Sequence, residues 1–326
     1  MRTLIFMASL ITQLLFHLES SMAKPFPASD EAPEGMQTLI SEDDREGLAY
    51  IPDITYAEYS SGPLVLHLMS AGLKMTPSGF EPVGTARPWV LYVPGSAWFP
   101  QNLARSVPNM IDFARDSGLA VAIVAYRPST IEKAPAQLID IKHALRFLRA
   151  NANEYNLDPE RVAIWGTSSG GHLASLLGLT DGIDAFVNDQ FSEQSSAVNA
   201  VINFFGPTDF LKMGDFPSII DHNDAQSPES WVVGGPIQDP AFREKVIEYN
   251  PITYVDPERK APPFLIMHGD RDALVPFNQS VLLFEALRDA GQTVAFYKLK
   301  DAGHGDRFFT QQTLTLVRAF LGEHLK

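Results

Sequence analysis

The sequence contains no cysteine. This absence excludes disulfides, thiol nucleophiles and thiolate metal ligands, and it also excludes a lipid anchor on an N-terminal cysteine. Positive charge is scarce as well, because 25 lysines and arginines stand against 39 acidic residues, for a formal net charge of −14. Nucleic-acid binding depends on neutralising phosphates with lysine and arginine, so this balance argues against a nucleic-acid partner. A neutral or cationic substrate, or an uncharged polymer, fits the charge better.

The only long apolar run lies at the N-terminus. It covers positions 3–18 and is shorter than the ~20 residues that span a bilayer. Small residues follow it at Ser21 and Ala23, where a signal peptidase would inspect the chain. We interpret residues 1–23 as a secretory signal peptide, the alternatives being an uncleaved anchor or a buried first helix. The mature chain is then expected to be secreted or periplasmic, without stable membrane association.

The remaining chain divides into an arm and one large domain. Residues 24–62 begin with a proline-rich and acidic stretch and are predicted to form an N-terminal arm. From residue 63 to 326, apolar strand-like runs alternate with helical patterns. Strands that are apolar throughout and separated by helices predict a mostly parallel sheet with helices on both faces, an α/β fold. The predicted strands cover 64–69, 89–93, 120–126, 162–165, 201–205, 264–268 and 293–299, and the clearest amphipathic helix covers 137–153.

One region interrupts this alternation. Residues 206–250 contain proline turns, scattered acidic residues and short apolar patches, and they are too long for a simple connection. We interpret them as a cap or lid insertion that shapes a pocket, because long loops at strand ends often carry specificity. The alternative is a structural excursion that only covers the edge of the sheet.

Residues 162–174 contain the most informative motif. They predict a strand, a Gly-x-Ser-x-Gly turn centred on Ser168, and the start of a helix. A serine on such a strained turn exposes its hydroxyl, and Gly166 and Gly170 provide flanking positions without clashing side chains. The helix start adds free N–H groups and the positive end of a dipole. The motif therefore predicts Ser168 as a nucleophile.

A serine nucleophile needs a base that is oriented by a third group. Of eight histidines, His304 lies in a glycine-flanked loop after the last predicted strand, and it is the predicted general base. The acid should follow another strand between Ser168 and His304. Asp270 and Asp272 both qualify; Asp272 is preferred, because Asp270, next to a turn glycine, suits an Asx-type turn bond.

The developing oxyanion needs two N–H donors. One is expected from Ser169, which follows the nucleophile, and the other from the loop after the strand at 89–93. In that loop the backbone N–H of Ser96 is the first choice and that of Ala97 the alternative. The next two residues, Trp98 and Phe99, are predicted to line the substrate pocket, although aromatic pairs are equally common in packing.

Together these motifs resemble esterases and lipases of the α/β-hydrolase superfamily, specifically those related to bifunctional xylan deacetylase/feruloyl esterases. A more distant likeness is to hormone-sensitive-lipase-like carboxylesterases. The resemblance runs from about Leu64 to the C-terminus. It rests on Tyr126-Arg127-Pro128, on Pro135-Ala136-Gln137, on Leu157 to Arg161, on Gly166 to Ala174, on Gly206 to Asp209, and on His268 to Asp272 with Val275-Pro276.

The resemblance implies an α/β-hydrolase fold with an eight-stranded sheet, in which residues 63–326 form the catalytic domain. It implies hydrolysis of carboxylic esters through an acyl-enzyme on Ser168, with acetyl or feruloyl esters of plant polysaccharides as candidate substrates. It also implies that neither a metal nor an organic cofactor takes part. One departure concerns the oxyanion loop, where such families carry His-Gly-Gly-Gly and this chain has Pro94-Gly95-Ser96-Ala97.

Two other functions remain as alternatives. Peptidases related to prolyl oligopeptidases share the triad, but they depend on a large propeller domain that a chain of 326 residues cannot hold. A catalytically inactive hydrolase-fold binding module is the second alternative, and the intact set of Ser168, Asp272 and His304 argues against it. Acyl length, the identity of the alcohol and the oligomeric state are left open by the sequence.

Overall fold

The computed structural model describes residues 33–37, 47–183, 186 and 190–326. The predicted signal peptide, residues 1–23, lies outside these ranges, and so do residues 24–32 and 38–46 of the predicted arm. The chain divides into two units, residues 1–45 and 46–326, and the fold described below is that of the second. No helix within the described ranges is long and apolar enough to cross a membrane.

An eight-stranded sheet forms the centre of this unit. In space its strands follow the order β1-β2-β6-β5-β7-β8-β9-β10, and every pair from β6 to β10 is parallel. The first two strands run antiparallel, β1 to β2 and β2 to β6. The strands are β1 (Ala49–Tyr59), β2 (Gly62–Ser70), β5 (Arg87–Val93), β6 (Ala120–Val124), β7 (Leu157–Thr167), β8 (Ala200–Phe204), β9 (Phe264–Gly269) and β10 (Val294–Leu299), while β3 (Leu73–Thr76) and β4 (Gly79–Pro82) form a separate hairpin.

Helices cover both faces of the sheet, as the apolar strands predict. Alternate residues of β5 enter two different clusters, with Leu91 in one and Val90 in the other. The first cluster also holds buried residues of α2, α4 and α7, and the second holds those of α1 and α8. The helices are α1 (Val107–Ser117), α2 (Ala136–Ala150), α3 (Ala152–Tyr155), α4 (Ser169–Leu179), α5 (Pro228–Val233), α6 (Arg243–Glu248), α7 (Asn278–Asp289) and α8 (Gln311–His324).

All seven predicted strands coincide with observed ones, but the sheet begins earlier than predicted. Strand β1 lies within the segment 24–62 that was predicted to be an arm, and it pairs with β2 from Ala49 opposite Ser70 to Tyr59 opposite Gly62. Residues 49–59 therefore belong to the sheet, and the prediction that they form part of the arm is wrong. An edge strand that is largely exposed or half-buried gives little apolar signal, and β1 is such a strand.

The predicted cap at 206–250 contains short helical pieces held by side-chain caps. Asp209 accepts the N–H of Leu211 at the start of a 3-10 turn, Phe210–Asp215. Ser227 accepts the N–H of Ser230 at the start of α5. Such capping satisfies N–H groups that a short helix leaves unpaired, so each piece is fixed locally.

Candidate active site

Parallel strands bring the predicted site residues to one edge of the sheet. Ser168 follows β7, the loop of Ala97 follows β5, Asp272 follows β9 and His304 follows β10. Because the carboxyl ends of neighbouring parallel strands lie together, residues far apart in the chain meet there.

Ser168 occupies the strained turn that the motif predicts. Its φ of 52° and ψ of −125° lie outside the regions that most residues adopt. A Cβ on Gly166 would overlap the carbonyl of Gly170, and a Cβ on Gly170 would overlap the carbonyl of Val93. Glycine is thus required on both sides of the serine, since the turn brings backbone against backbone.

Ser168, His304 and Asp272 form a continuous set of hydrogen bonds. His304 Nδ1 lies 2.7 Å from Asp272 Oδ2, and His304 Nε2 lies 3.0 Å from Ser168 Oγ. An ionised carboxylate only accepts, so Nδ1 carries a proton and donates it to Asp272. Nε2 is then left with a lone pair that accepts the hydrogen bond of the Ser168 hydroxyl. This is the arrangement that a general base requires.

Asp272 is held from several directions. Its Oδ1 accepts the N–H groups of Leu274 at 2.8 Å and Val275 at 3.0 Å. Its Oδ2, besides facing His304, lies 3.2 Å from His268 Nε2. Burial alone would raise the pKa of this carboxyl, but the hydrogen bonds from His268 and His304 outweigh it and hold the pKa well below its usual range. Asp272 is therefore ionised when the site works.

Asp270, the competing acid, has a different partner. Its Oδ1 accepts the N–H of Asp301 at 2.7 Å and so connects the acid loop to the loop that carries His304. The Asx-type turn bond that was assigned to Asp270 is instead made by Asp272, through the N–H of Leu274 two residues on. One oxygen of Asp272 thus fixes its own loop while the other faces His304.

The ring of His304 is supported by an aromatic neighbour that the motifs did not reveal. Phe205 packs edge-on against it, with ring centroids 4.6 Å apart. Phe205 also has a φ of 44° and donates its N–H to the carbonyl of Met267. Its position at the end of a predicted strand, directly before a glycine, was the only available signal.

The two candidate donors of the oxyanion loop, the N–H groups of Ser96 and Ala97, differ in their hydrogen bonds. The N–H of Ser96 is already donated to Ser169 Oγ at 2.9 Å. The N–H of Ala97 has no acceptor within the described ranges, and Ala97 lines the cavity beside Ser168. The N–H of Ser169 is the first of α4 and so has no partner inside that helix. The geometry therefore leaves Ala97 and Ser169 as the available pair.

Trp98 and Phe99 are separated by the turn of this loop. Trp98 is buried and lines the cavity, and its ring packs edge-on against the stacked rings of His172 and Phe210, whose centroids lie 5.2 and 5.3 Å away. Phe99 is not among the cavity-lining residues, and its ring packs against Trp231. The prediction that both line the pocket is therefore wrong for Phe99 at this cavity, because its ring contacts the cap residue Trp231 instead.

A cavity of about 320 Å³ opens at Ser168. Ser168 and His304 share it with the loop after β5 and with five residues of the cap segment. Most of its wall is apolar, which suits the acyl part of an ester. The lining residues are Gly95, Ser96, Ala97, Trp98, Thr167, Ser168, Ser169, Phe205, Pro207, Ile220, His222, Pro228, Glu229, Leu274, Val275 and His304.

A buried histidine–glutamate pair forms part of the cap wall. His222 Nδ1 lies 3.1 Å from Glu229 Oε2, and both side chains are almost fully buried. Burial would lower the pKa of His222, but the hydrogen bond and charge of Glu229 outweigh it and raise that pKa above its ordinary value. Both residues lie in the predicted cap, and no motif in the sequence singles out either of them.

The described part of the chain holds no group of three or more histidine, aspartate or glutamate side chains placed to bind a metal ion. The polar groups at the cavity are instead those of Ser168, His304, the backbone donors and the pair His222–Glu229.

Comparison with known proteins agrees with this geometry. The family model described as BD-FAE matches residues 81–287. LipM of Mycobacterium tuberculosis, a probable carboxylic ester hydrolase, is 30% identical over 283 residues, covering 85% of this chain and 59% of its own. This chain thus spans little more than half the length of that relative.

Solved structures of esterases are also similar to this chain, and the first of them is covered over nearly its whole length. A truncated carbohydrate esterase from gut microbiota superposes with a TM-score of 0.73 and 30% identity, covering 87% of this chain and 98% of that one. A bifunctional GH43-CE protein from Bacteroides eggerthii gives a TM-score of 0.73 and 33% identity, covering 85% of this chain and 35% of its own. The predicted α/β-hydrolase fold and family resemblance are confirmed.

Proposed function

Because the chain belongs to the BD-FAE family, we propose that it is a serine carboxylesterase that works through an acyl-enzyme on Ser168. The observation that carries the proposal is the relay of hydrogen bonds from Ser168 Oγ through His304 to Asp272, at 3.0 and 2.7 Å. A relay of this geometry, opening into a cavity, is what activation of a serine requires.

In the acylation step, Ser168 Oγ attacks the ester carbonyl carbon while His304 Nε2 accepts its proton. The carbonyl oxygen becomes an oxyanion, and the N–H groups of Ser169 and Ala97 donate hydrogen bonds to it. The ionised Asp272 stabilises the imidazolium that forms. When the tetrahedral intermediate collapses, His304 gives its proton to the alcohol oxygen, and the carbon–oxygen bond of the ester breaks.

Deacylation repeats the sequence with water as the nucleophile. His304 Nε2 removes a proton from water, whose oxygen attacks the acyl carbon, and the same two N–H groups hold the second oxyanion. Collapse returns the proton to Ser168 Oγ and releases the carboxylic acid. Every proton moves between groups of this chain, the substrate and water.

For the substrate, we propose small or aromatic acyl esters carried on carbohydrate, with acetyl and feruloyl groups as the first to try. A cavity of about 320 Å³ with mostly apolar lining accommodates such groups. The similar gut-microbiota structure is described as a carbohydrate esterase, which supports a carbohydrate alcohol. A net charge of −14 suits an uncharged polymer, and an exported enzyme would meet one outside the cell.

Labelling with a fluorophosphonate probe, together with hydrolysis of p-nitrophenyl acetate, tests the mechanism. We expect labelling of the wild type, none of Ser168→Ala, and a fall in kcat of about 10⁴-fold or more in that variant. Ser61→Ala, which changes an exposed serine in the turn between β1 and β2, is the matched control and should behave as wild type. No labelling of folded wild-type protein would overturn the proposal. Comparing acetyl, butyryl, octanoyl and feruloyl esters then defines the acyl group.

A further inference from the structure

Glu229 is the acidic residue among those that line the cavity containing Ser168 and His304. Only 2% of its surface is exposed. Burying a carboxylate is unfavourable unless hydrogen bonds compensate, and the hydrolysis of a simple alkyl ester does not need one in this position. The residue therefore calls for a role beyond the catalytic relay.

The contacts of His222 determine how Glu229 is held. His222 Nε2 lies 3.0 Å from the carbonyl oxygen of Leu274, which can only accept, so Nε2 carries a proton. Ser218 Oγ donates to the carbonyls of Ala273 and Leu274, and it accepts from His222 Nε2 at 3.1 Å. His222 Nδ1 faces Glu229 Oε2 at 3.1 Å, and a proton lies between these two atoms.

This pair has no net charge and a fixed geometry. Whether the shared proton sits on Nδ1 of His222 or on Oε2 of Glu229, the pair carries no net charge, and Oε1 of Glu229 remains an acceptor. Since Leu274 follows Asp272 closely, His222 also ties the cap to the loop that carries the catalytic acid.

The second oxygen of the carboxylate is available to a ligand. Within the described ranges the side chain of Glu229 makes its hydrogen bond through Oε2, and Oε1 has no donor from the protein. An alkyl group in this part of the cavity would remove water from Oε1 and replace it with nothing. A hydroxyl group would donate to it, and the difference favours the hydroxylated ligand by about tenfold or more.

We propose that Glu229, oriented by His222, accepts a hydrogen bond from a hydroxyl group of the substrate and so selects hydroxylated esters over matched esters without that hydroxyl. The inference rests on the proposed esterase function and adds a specificity-determining residue to it. The hydroxyl has two sources in a carbohydrate ester, a phenol on the acyl group or a sugar hydroxyl beside the ester bond.

Two matched pairs of esters separate these sources. Methyl 4-hydroxycinnamate against methyl cinnamate tests a phenol on the acyl group. A mono-O-acetylated methyl xyloside against its O-methylated analogue tests a hydroxyl on the alcohol. For the wild type we expect kcat/KM to be about tenfold or more higher for the hydroxylated member of at least one pair.

The decisive measurement is this ratio in Glu229→Leu, where we expect it to fall close to one, mainly through KM. A ratio within one variant is unaffected by the fraction of protein that is folded. Glu229→Gln keeps an amide oxygen as acceptor and should retain part of the preference. Glu244→Leu removes an exposed acid of α6 in the same cap and should leave the ratio unchanged.

The outcomes distinguish this inference from the proposed function. Hydrolysis of all four esters by the wild type without preference in either pair would overturn the role of Glu229 and leave the esterase intact. A preference that survives in Glu229→Leu would overturn it too. Failure of the wild type to hydrolyse any of the four, with no fluorophosphonate labelling, would overturn the esterase function itself.

Discussion

The two sides of the active-site cavity are built by different means. On one side, Ser168, Asp272 and His304 each follow a strand of the parallel sheet, and the register of β9 with β10 aligns the loops that carry the last two. On the other side, the wall comes from the β5 loop around Ala97 and from the cap at 206–250. That wall is held by hydrogen bonds between side chains, and also by short helices with capped N-termini.

This difference separates the residues that perform the reaction from the residues that select the substrate. In the proposed mechanism, residues positioned by the sheet act on every ester, because proton transfer and nucleophilic attack do not depend on what the acyl chain or alcohol carries. Residues of the wall meet those variable parts, except that the backbone N–H of Ala97 is also a proposed oxyanion donor. Substitutions on the sheet side should therefore lower activity uniformly, and substitutions on the wall should change stability or substrate preference while the chemistry survives.

The largest expected effect belongs to the sheet side. Asp272→Asn should lower kcat for p-nitrophenyl acetate by about 10⁴-fold, because an amide cannot hold His304 in the required tautomer or stabilise the imidazolium. Asp270→Asn is the matched control: within the described ranges the Asp270 side chain accepts the backbone N–H of Asp301 and no other hydrogen bond, so kcat of this variant should fall by less than about tenfold. Equal losses in the two variants would contradict the assignment of the acid.

A smaller effect on the sheet side is the dependence of activity on pH. Hydrogen bonds from His268 and His304 overcome the effect of burial and keep the pKa of Asp272 well below its usual range, so this carboxylate stays ionised in mildly acidic solution. Asp272 then contributes no acid limb to kcat/KM, and the limb that remains tests His304 as the base, because a proton on Nε2 removes the lone pair that accepts the serine proton. We expect activity to fall by about tenfold for each unit of pH on that limb, as one protonation requires.

Measured with a neutral ester between neutral and mildly acidic pH, a flat rate would contradict His304 as the base. A slope of two protons would show that Asp272 also titrates in that range. The Glu229→Leu variant should keep the same limb, because the wall takes no part in proton transfer.

The site residues on the sheet side could be predicted because the sequence patterns that mark them are local. A strand that is apolar throughout, a Gly-x-Ser-x-Gly turn and a helix start are contiguous in the chain, and they led to Ser168. The order of the acid and the histidine after later strands then narrowed the partners to a few residues. Each of these steps depends on residues that are neighbours in sequence.

The wall gave no comparable signal. His222 and Glu229 meet through a loop without periodicity, and only folding shows that their side chains touch. The choice between Ser96 and Ala97 as donor depends on one hydrogen bond to Ser169 Oγ, which no pattern in the loop encodes. Strand β1 was missed for a related reason, since an exposed edge strand lacks the continuous apolar run that marks the central strands.

The smallest expected effect concerns the backbone of the wall. Ala97 has a φ of 52°, in the left-handed region that favours glycine, and an L-residue there is less stable by about 1–2 kcal/mol. Ala97→Gly removes that strain but makes the unfolded chain more flexible, which costs about 0.5–1 kcal/mol. We therefore expect a free energy of unfolding that is raised by about 0–1.5 kcal/mol. The donor is a backbone N–H that glycine keeps, so kcat/KM for p-nitrophenyl acetate should change by less than about tenfold.

Ala104→Gly is the control, because this exposed residue of the 3-10 turn at Leu103–Arg105 is not among those with positive φ. Only the flexibility of the unfolded chain changes there, so its free energy of unfolding should fall slightly. Chemical denaturation of the two variants beside wild type measures the difference. If Ala97→Gly destabilised the protein as much as Ala104→Gly does, the loop would not be strained, and the departure from glycine at this position would have to be explained by the shape of the wall.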